Sequence, residues 1–140
     1  MSIFPQKKCL VSACLVGLCT RYDGKCKADN RCLRKLDGMH WIPVCPEQLG
    51  GLSTPRIAAD LRGGDGHDVL ADQASVVDKN GRDVSTNFIH GARQVLAIAR
   101  AQQIEHALLK ARSPSCGLGH PIGVTAALLL ENGIHCLEFG

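Results

Sequence analysis

The sequence predicts an α/β fold in a single domain over residues 1–140, with a mostly parallel sheet flanked by helices. The length suits one hydrophobic core. Short apolar runs alternate with helical patterns, which is typical of βαβ units and a parallel sheet. One run, residues 9–15, is apolar almost throughout, as expected of a strand that is covered on both faces.

Four apolar runs are interpreted as the strands of this sheet. Each run is rich in aliphatic residues and is bounded by polar or turn-forming residues. Parallel strands bring their carboxyl ends to one edge of the sheet, where ligands bind in this class of fold, so we expect the functional site there. The predicted strands are residues 9–15, 41–45, 106–110 and 134–139.

Three helices are predicted between the strands. The clearest is residues 87–103, where apolar residues recur at a spacing of three and four and Ser85 or Thr86 can cap the first turn. In residues 28–38, Asp29 or Asn30 can cap a basic amphipathic stretch that ends at a glycine, which predicts a short helix. Residues 122–133 predict an apolar helix that an Asn-Gly pair ends.

Two further segments have weaker signals. Residues 46–66 are dense in glycine and proline and have no regular period, so they predict a long loop. Long ordered loops in compact domains are usually functional. Residues 75–85 contain a brief apolar run and an Asn-Gly turn, which favours a hairpin.

Composition limits the class of protein. A net charge of +3 is too small for a dedicated nucleic-acid binder. No run reaches the ~18 apolar residues of a membrane span. The apolar stretch before Cys14 is too short for an export signal, and PQKK interrupts it. We therefore expect a cytoplasmic protein, in which clustered cysteines are more often metal ligands or catalytic groups than disulfides.

Three of the eight cysteines stand out by position. Cys14, Cys45 and Cys116 each fall at or just beyond the carboxyl end of a predicted strand, so they are expected to meet at one edge of the sheet. Three thiolates are one fewer than the four protein ligands of structural zinc sites and of most clusters. The open coordination position indicates a catalytic rather than a structural centre.

The other five cysteines have plainer interpretations. Cys9, Cys32 and Cys136 lie inside predicted strands or a helix, where cysteine acts as a small buried hydrophobic residue. Cys19 and Cys26 lie in CTRYDGKC, and their spacing matches no usual pair of zinc ligands. A turn or a fragment of a zinc knuckle remains open for them.

Polar residues accompany two of the three site cysteines. Glu47 follows Cys45 by two residues, and Ser113 and Ser115 lie in SPSCG with Cys116. A carboxylate or hydroxyl beside a metal centre is a candidate for proton transfer. The alternative, ordinary solvated loop residues, remains open at this point.

The order of motifs resembles a known family. VSACLVG, RYDG, VCPEQLGGLSTPR, GGDG, VVDKNGRDV, SPSCG and GVTAALL follow one another as in the bacterial domain-of-unknown-function family that includes the [4Fe-4S] thiouracil desulfidases. The resemblance covers residues 9–137. It implies a cytoplasmic enzyme that removes sulfur from a thiolated pyrimidine of the 2- or 4-thiouracil type, with release of hydrosulfide and no net redox change.

The resemblance also implies the cofactor and the site residues. A [4Fe-4S] cluster would be held by Cys14, Cys45 and Cys116, with one iron open. An iron of this kind is a Lewis acid with affinity for sulfur. Glu47 and a serine of SPSCG would assist catalysis, with Ser113 preferred over Ser115.

Several alternatives stay open at the level of sequence. The implied partner is a thiolated nucleobase, with a thiolated nucleoside or tRNA as alternatives, bound to a monomer or a homodimer. A zinc-dependent hydrolase with the same three cysteines, or a non-enzymatic iron-sulfur or persulfide carrier, would fit the same motifs. Only LGHPI separates SPSCG from GVTAALL, whereas family members carry a longer glycine-rich loop there, so the residues that cover the substrate are undetermined.

Overall fold

The computed structural model describes residues 7–140. Its strands and helices alternate along the chain, as the βαβ pattern predicts. A 3₁₀ helix, Ala13–Val16, follows the first strand. The other elements are β1 (Lys8–Ser12), α1 (Asn30–Leu36), β2 (His40–Val44), α2 (Pro46–Leu49), β3 (Ala59–Arg62), α3 (Gly66–Leu70), β4 (Ser75–Asp78), α4 (Ser85–Ala101), β5 (His106–Lys110), α5 (Val124–Glu131) and β6 (His135–Phe139).

The main sheet has four parallel strands in the order β2-β1-β5-β6. Its two faces are covered by different helices. On β1, Cys9 and Val11 pack with Cys32 of α1, whereas Leu10 packs on the opposite face with Val95 of α4. Successive side chains of a strand point to opposite faces, so a strand covered on both sides reads as one apolar run. The predicted α/β class with a parallel sheet flanked by helices is confirmed.

The first strand is shorter than predicted. It ends at Ser12, and the rest of the apolar run turns into the 3₁₀ helix, which Gly17 ends with a φ of +92°. A short apolar run does not distinguish a strand from a helical turn by periodicity alone. This turn places Cys14 beside the strand end instead of extending the strand past the sheet.

The predicted long loop over residues 46–66 is wrong in part. The segment contains α2 at its start and β3 near its end, and α3 begins at its last residue. β3 pairs antiparallel with β4 in a separate two-stranded sheet. The Asn80-Gly81 turn does form, but its returning arm pairs with β4 only through the single bridge between Val77 and Asp83. The partner along the whole of β4 is therefore β3, from the segment that the sequence predicted as a loop.

The predicted capping of the longest helix is also wrong. α4 begins at Ser85 without a side-chain cap. The Ser85 Oγ accepts a hydrogen bond from the backbone N–H of Val76, and the Asp83 carboxylate accepts one from the Ser85 N–H. The hydroxyl thus ties α4 to β4 instead of to its own first turn.

α2 lies directly on the backbone of α4. A Cβ at Gly91 would lie 1.9 Å from the carbonyl oxygen of Pro46, so only glycine allows this approach. Asn87 Nδ2 donates to the carbonyl of Gly50 at 2.9 Å and closes the other end of α2. This packing fixes the segment that carries Cys45.

Within the described part of the chain, no helix combines the length and the apolar character that crossing a bilayer requires.

Candidate functional site

A cavity of about 750 Å³ opens at the carboxyl edge of the parallel sheet, where Ser12, Val44 and Lys110 end their strands. This volume is within the range of small-molecule sites. Every site residue that the sequence analysis names lines it: Cys14, Cys45, Glu47, Ser113, Ser115 and Cys116.

The three cysteines reach the cavity from three adjacent strands. Cys14 lies in the 3₁₀ helix after β1, Cys45 lies between β2 and α2, and Cys116 lies in the loop between β5 and α5. All three are free thiols. Among residues 7–140, no three Cys, His, Asp or Glu side chains form a ligand set for a single metal ion. Thiolates on different irons of a cubane lie farther apart, at roughly 6–7 Å.

Cys45 is held at the first turn of α2. Pro46 occupies the first helical position, where proline is favoured because its missing N–H is not needed. The Cys45 thiol donates to the carbonyl oxygen of Thr20 at 3.7 Å, and Arg56 Nη2 donates to the sulfur at 3.8 Å. The sulfur is therefore oriented by a neighbouring loop and by a cation.

The loop that carries Cys116 rests on the start of α5. The backbone N–H of Ala126 donates to the carbonyl of Ser115 at 3.0 Å, so an N–H of the helix start holds the loop. A Cβ at Gly123 would lie 2.5 Å from the Ser115 carbonyl carbon, which makes glycine necessary for this contact. As a result Cys116 is 4% exposed.

Burial controls the protonation of two of the thiols. It raises the pKa of Cys14, although the Lys110 ammonium partly offsets the effect. Burial raises the pKa of Cys116 to about 12, against a hydrogen bond from Ser12 that favours the thiolate. Both thiols are therefore neutral near pH 7 in the protein alone. A bound metal centre would supply the positive charge that turns them into thiolates, so the donor set fits a metal cofactor.

A chain of hydrogen bonds runs along one wall of the cavity. Arg56 Nε donates to Glu47 Oε1 at 2.9 Å, and the Ser115 hydroxyl donates to Glu47 Oε2 at 3.0 Å. Ser113 Oγ lies 3.0 Å from Ser115 Oγ. Because Ser115 has one hydroxyl proton and donates it to the carboxylate, Ser113 is the donor between the two serines.

The Ser113 oxygen also stabilises the loop that carries Cys116. It accepts hydrogen bonds from the backbone N–H groups of Ser115 and Cys116, at 3.2 and 3.1 Å. This local turn fixes the loop that carries both serines. Ser115 is almost fully buried and Ser113 is half-buried, so Ser113 is the end of the chain nearer to solvent.

The cavity wall carries an excess of positive charge. Such a field stabilises thiolates and would attract an anion such as hydrosulfide. Three acidic residues, Asp29, Glu47 and Asp60, face seven basic ones, Arg21, Lys27, Arg31, Arg56, Lys79, Lys110 and Arg112.

The loop of residues 17–29 covers part of the cavity. Thr20, Arg21 and Tyr22 line the cavity from this loop, and the backbone N–H of Arg56 donates to the Tyr22 carbonyl at 2.7 Å. The short 118–122 segment is turned toward β6, where the N–H of its first residue bonds to the Glu138 carboxylate. In this structure the cover comes from the 17–29 loop.

A disulfide between Cys19 and Cys26 closes the 17–29 loop. The composition favoured ligands or catalytic groups over disulfides, and for this pair that expectation is wrong. Because both sulfurs are in the disulfide, these two cysteines are neither part of a zinc knuckle nor free to bind a metal in this structure. Both are exposed, which makes the bond accessible to reductants.

Loss of this disulfide should loosen the loop. A cross-link that closes so short a loop contributes about 2–3 kcal/mol, so the double variant Cys19→Ser/Cys26→Ser should be cleaved by trypsin after Lys25 or Lys27 roughly 30- to 150-fold faster. Mass spectrometry of timed digests measures this rate. Cleavage after the exposed Lys79 is the internal control and should not change. Equal rates in oxidised parent and double variant would show that the cross-link does not restrain the loop.

Sequence reasoning did not identify two polar residues at the site. Ser12 Oγ accepts from the backbone N–H of Lys110 at 2.9 Å, which links β1 to β5 at the cavity floor, and its hydroxyl also bonds to Cys116. The positive charge of Lys110 lowers the pKa of the Cys14 thiol and partly offsets the effect of burial. Lys110 ends a predicted strand, and that position was the available signal for it. Ser12 lies in the middle of the predicted strand 9–15 and ends β1 only in the structure.

Comparisons with known proteins give a consistent assignment. The sequence profile described as 2-thiouracil desulfurase matches residues 9–138. The uncharacterized protein YbbK of Bacillus subtilis (strain 168) is 40% identical over 141 residues, which cover 92% of this chain and 93% of YbbK. The solved structure of the [4Fe-4S]-dependent thiouracil desulfidase TudS superposes with a TM-score of 0.80 at 38% identity, over 95% of this chain and 91% of that one. The chain belongs to the 2-thiouracil desulfurase family.

Proposed function

We propose that the protein is a [4Fe-4S]-dependent enzyme that converts a thiolated pyrimidine of the 2- or 4-thiouracil type to the oxo base and releases hydrosulfide. One observation carries the proposal. Three free cysteines that follow three separate strands line one cavity together with a hydrogen-bonded carboxylate and two serines. Support also comes from a fold that matches a [4Fe-4S]-dependent thiouracil desulfidase over 95% of the chain.

The residues present fit such a cluster. Cys14, Cys45 and Cys116 would hold it, and one iron would have no protein ligand. When bound, the cluster supplies a Lewis acid with affinity for sulfur. The basic wall of the cavity and the carboxyl edge of the sheet favour the negative charge of the thiolates.

Glu47 is proposed as the general base. Its side chain lines the cavity and is 15% exposed. A carboxylate has about four acceptor directions, and Arg56 and Ser115 use two of them, so acceptor capacity is left for a water molecule. Glu47 would take a proton from that water as its oxygen attacks the ring carbon that carries sulfur.

The serines would hold the base and the substrate. Ser115 donates to Glu47 and keeps one carboxylate oxygen in place. Ser113, at the more open end, has its oxygen occupied by two backbone N–H groups and donates its one proton to Ser115, so it would turn that proton from Ser115 to a bound pyrimidine. A hydroxyl that donates to the ring would stabilise the negative charge of the addition step.

The proposed reaction balances without electron transfer. Water adds to the thiocarbonyl carbon, the carbon–sulfur bond breaks, and both protons of the water leave its oxygen: both depart with sulfur as hydrogen sulfide, or one departs with sulfur as hydrosulfide and the other passes through Glu47 to solvent. The products are the oxo pyrimidine and sulfide, so the chemistry is hydrolytic. Iron would act through its charge and its affinity for sulfur.

An anaerobic assay tests this function. Protein purified without oxygen should be brown with a band near 400 nm, as iron-sulfur clusters are, and contain close to four irons and four sulfides per chain. With 2- or 4-thiouracil it should release sulfide and the oxo base in equal amounts. Metal analysis, a colorimetric sulfide assay and chromatography of the base measure these quantities.

The same assay separates the rival functions. Full activity with zinc and without iron would identify a zinc hydrolase and refute the cluster. A complete cluster without sulfide release from either thiouracil would favour an iron-sulfur or persulfide carrier. Thiolated nucleosides and thiolated tRNA belong in the same substrate panel.

A further inference from the structure

Arg56 is the most extensively bonded side chain at the site. It is 7% exposed, although it carries a full charge. Nε donates to Glu47 Oε1 at 2.9 Å, and Nη2 donates to the Thr20 carbonyl at 2.8 Å. Nη1 donates to the Ser53 carbonyl at 3.2 Å and to Thr54 Oγ1 at 2.8 Å. These bonds hold the guanidinium plane from three sides.

We propose that Arg56 is a positioning residue that acts through Glu47. By binding Oε1 it fixes the rotation of the carboxylate, and the other oxygen, Oε2, is then directed at Ser115. The two carboxylate oxygens have different partners on opposite sides. The base therefore faces the cavity in one orientation before substrate arrives.

The geometry requires the fork of an arginine. The guanidinium presents five donors in a rigid plane, whereas a lysine ammonium is a single centre on a flexible stem. Only the fork reaches Glu47 with Nε while its Nη groups stay on backbone carbonyls of two other segments. A lysine at this position would keep the charge but lose most of the bonds.

Arg56 also couples the base to the cover of the cavity. Nη2 reaches both the Thr20 carbonyl and the Cys45 sulfur, and the Arg56 backbone N–H binds the Tyr22 carbonyl. One residue, Arg56, thus bonds both to the 17–29 loop and to Glu47 and holds them in a fixed relative position. A change in that loop would reach the base through the guanidinium.

The inference rests on the proposed role of Glu47, and a double-mutant cycle tests it. Arg56→Met and Arg56→Lys are each made alone and with Glu47→Gln. Misplacement of a catalytic group by about 1 Å can cost on the order of 10²-fold, so kcat for thiouracil should fall about 10- to 100-fold in both single variants. KM should stay within about threefold, and iron content should match the parent protein.

The cycle has a specific signature. In the Glu47→Gln background, removal of Arg56 should cause no further loss, because the base that it positions is already absent. A crystal structure of Arg56→Met should show Glu47 Oε2 out of hydrogen-bond range of Ser115. Arg62→Met is the matched control, since Arg62 is exposed and lies outside the cavity, and it should keep the parental kcat.

Defined outcomes overturn the inference. Parental kcat in Arg56→Lys, or additive losses in the double variants, would show that Arg56 does not act through Glu47. Loss of iron from both single variants would make Arg56 a structural support of the site. Failure of the proposed function itself looks different, because the parent protein would then release no sulfide from thiouracil. If the parent is active and Glu47→Gln is as fast as the parent, the base role of Glu47 is refuted and the Arg56 inference falls with it.

Discussion

Replacing Cys116 by serine is expected to remove most of the iron and abolish sulfide release. The Cys116 thiol is buried, 4% exposed, and lies at the floor of the cavity. A serine hydroxyl there is a poor ligand for iron, and two thiolates do not hold a cubane. Cys14→Ser and Cys45→Ser should have the same effect. Iron and sulfide analysis per folded chain, with the absorbance near 400 nm, measures it.

Two other cysteines provide the controls. Cys32 is fully buried between α1 and the sheet. Cys136 lies in β6 and packs against the core on the opposite face of the sheet. Neither lines the cavity. Cys32→Ser and Cys136→Ser should therefore keep the parental iron content and activity per folded chain. A full cluster in Cys116→Ser would refute the ligand assignment.

Glu47→Gln is expected to slow turnover by about 10²- to 10⁴-fold, the usual contribution of a general base. Glutamine keeps the shape, and its carbonyl oxygen can still accept from Arg56. The nitrogen would face Ser115, so the acceptor for the Ser115 proton and the basic group are both lost. The variant should assemble a normal cluster, since Glu47 contacts Arg56 and Ser115. Sulfide release under substrate saturation, together with iron content, measures the effect.

Substitution of the serines completes this experiment. Ser115→Ala removes the bond to Glu47 Oε2, whereas Ser113→Ala removes the bonds that hold the loop and the donor to Ser115. Turnover of Glu47→Gln within about threefold of the parent would contradict a base role, and water activation would then be assigned to Ser113. Loss of the cluster in Glu47→Gln would make Glu47 a structural support.

The class of the fold and the edge that carries the site could be predicted from the sequence. Alternation of apolar runs with helical patterns is local information, and it identified β1, β2, β5, β6, α1, α4 and α5. The parallel arrangement of the strands then predicted that Cys14, Cys45 and Cys116 lie at one edge of the sheet, and no measured distance between them was needed. The cavity contains all three, as that topology requires.

The segment over residues 46–66 shows where local patterns failed. α2 has four residues and β3 also has four, which is too short for a periodic signal. Their stability comes from contacts that are distant in sequence: Gly91 admits α2 onto α4, and β3 exists because β4 pairs with it. In the sequence alone, Gly91 is only a poor helix former inside α4. The structure shows that glycine is needed there because α2 packs against it.

The sequence by itself determined an α/β chain of the 2-thiouracil desulfurase family and the residue types at its site. Only the tertiary structure decided how those residues act on one another. The bond from Arg56 to Glu47, the order of donors through Ser115 and the disulfide from Cys19 to Cys26 all depend on side-chain directions in loops. Loop directions are set by packing against distant elements, and no local pattern of residues encodes them.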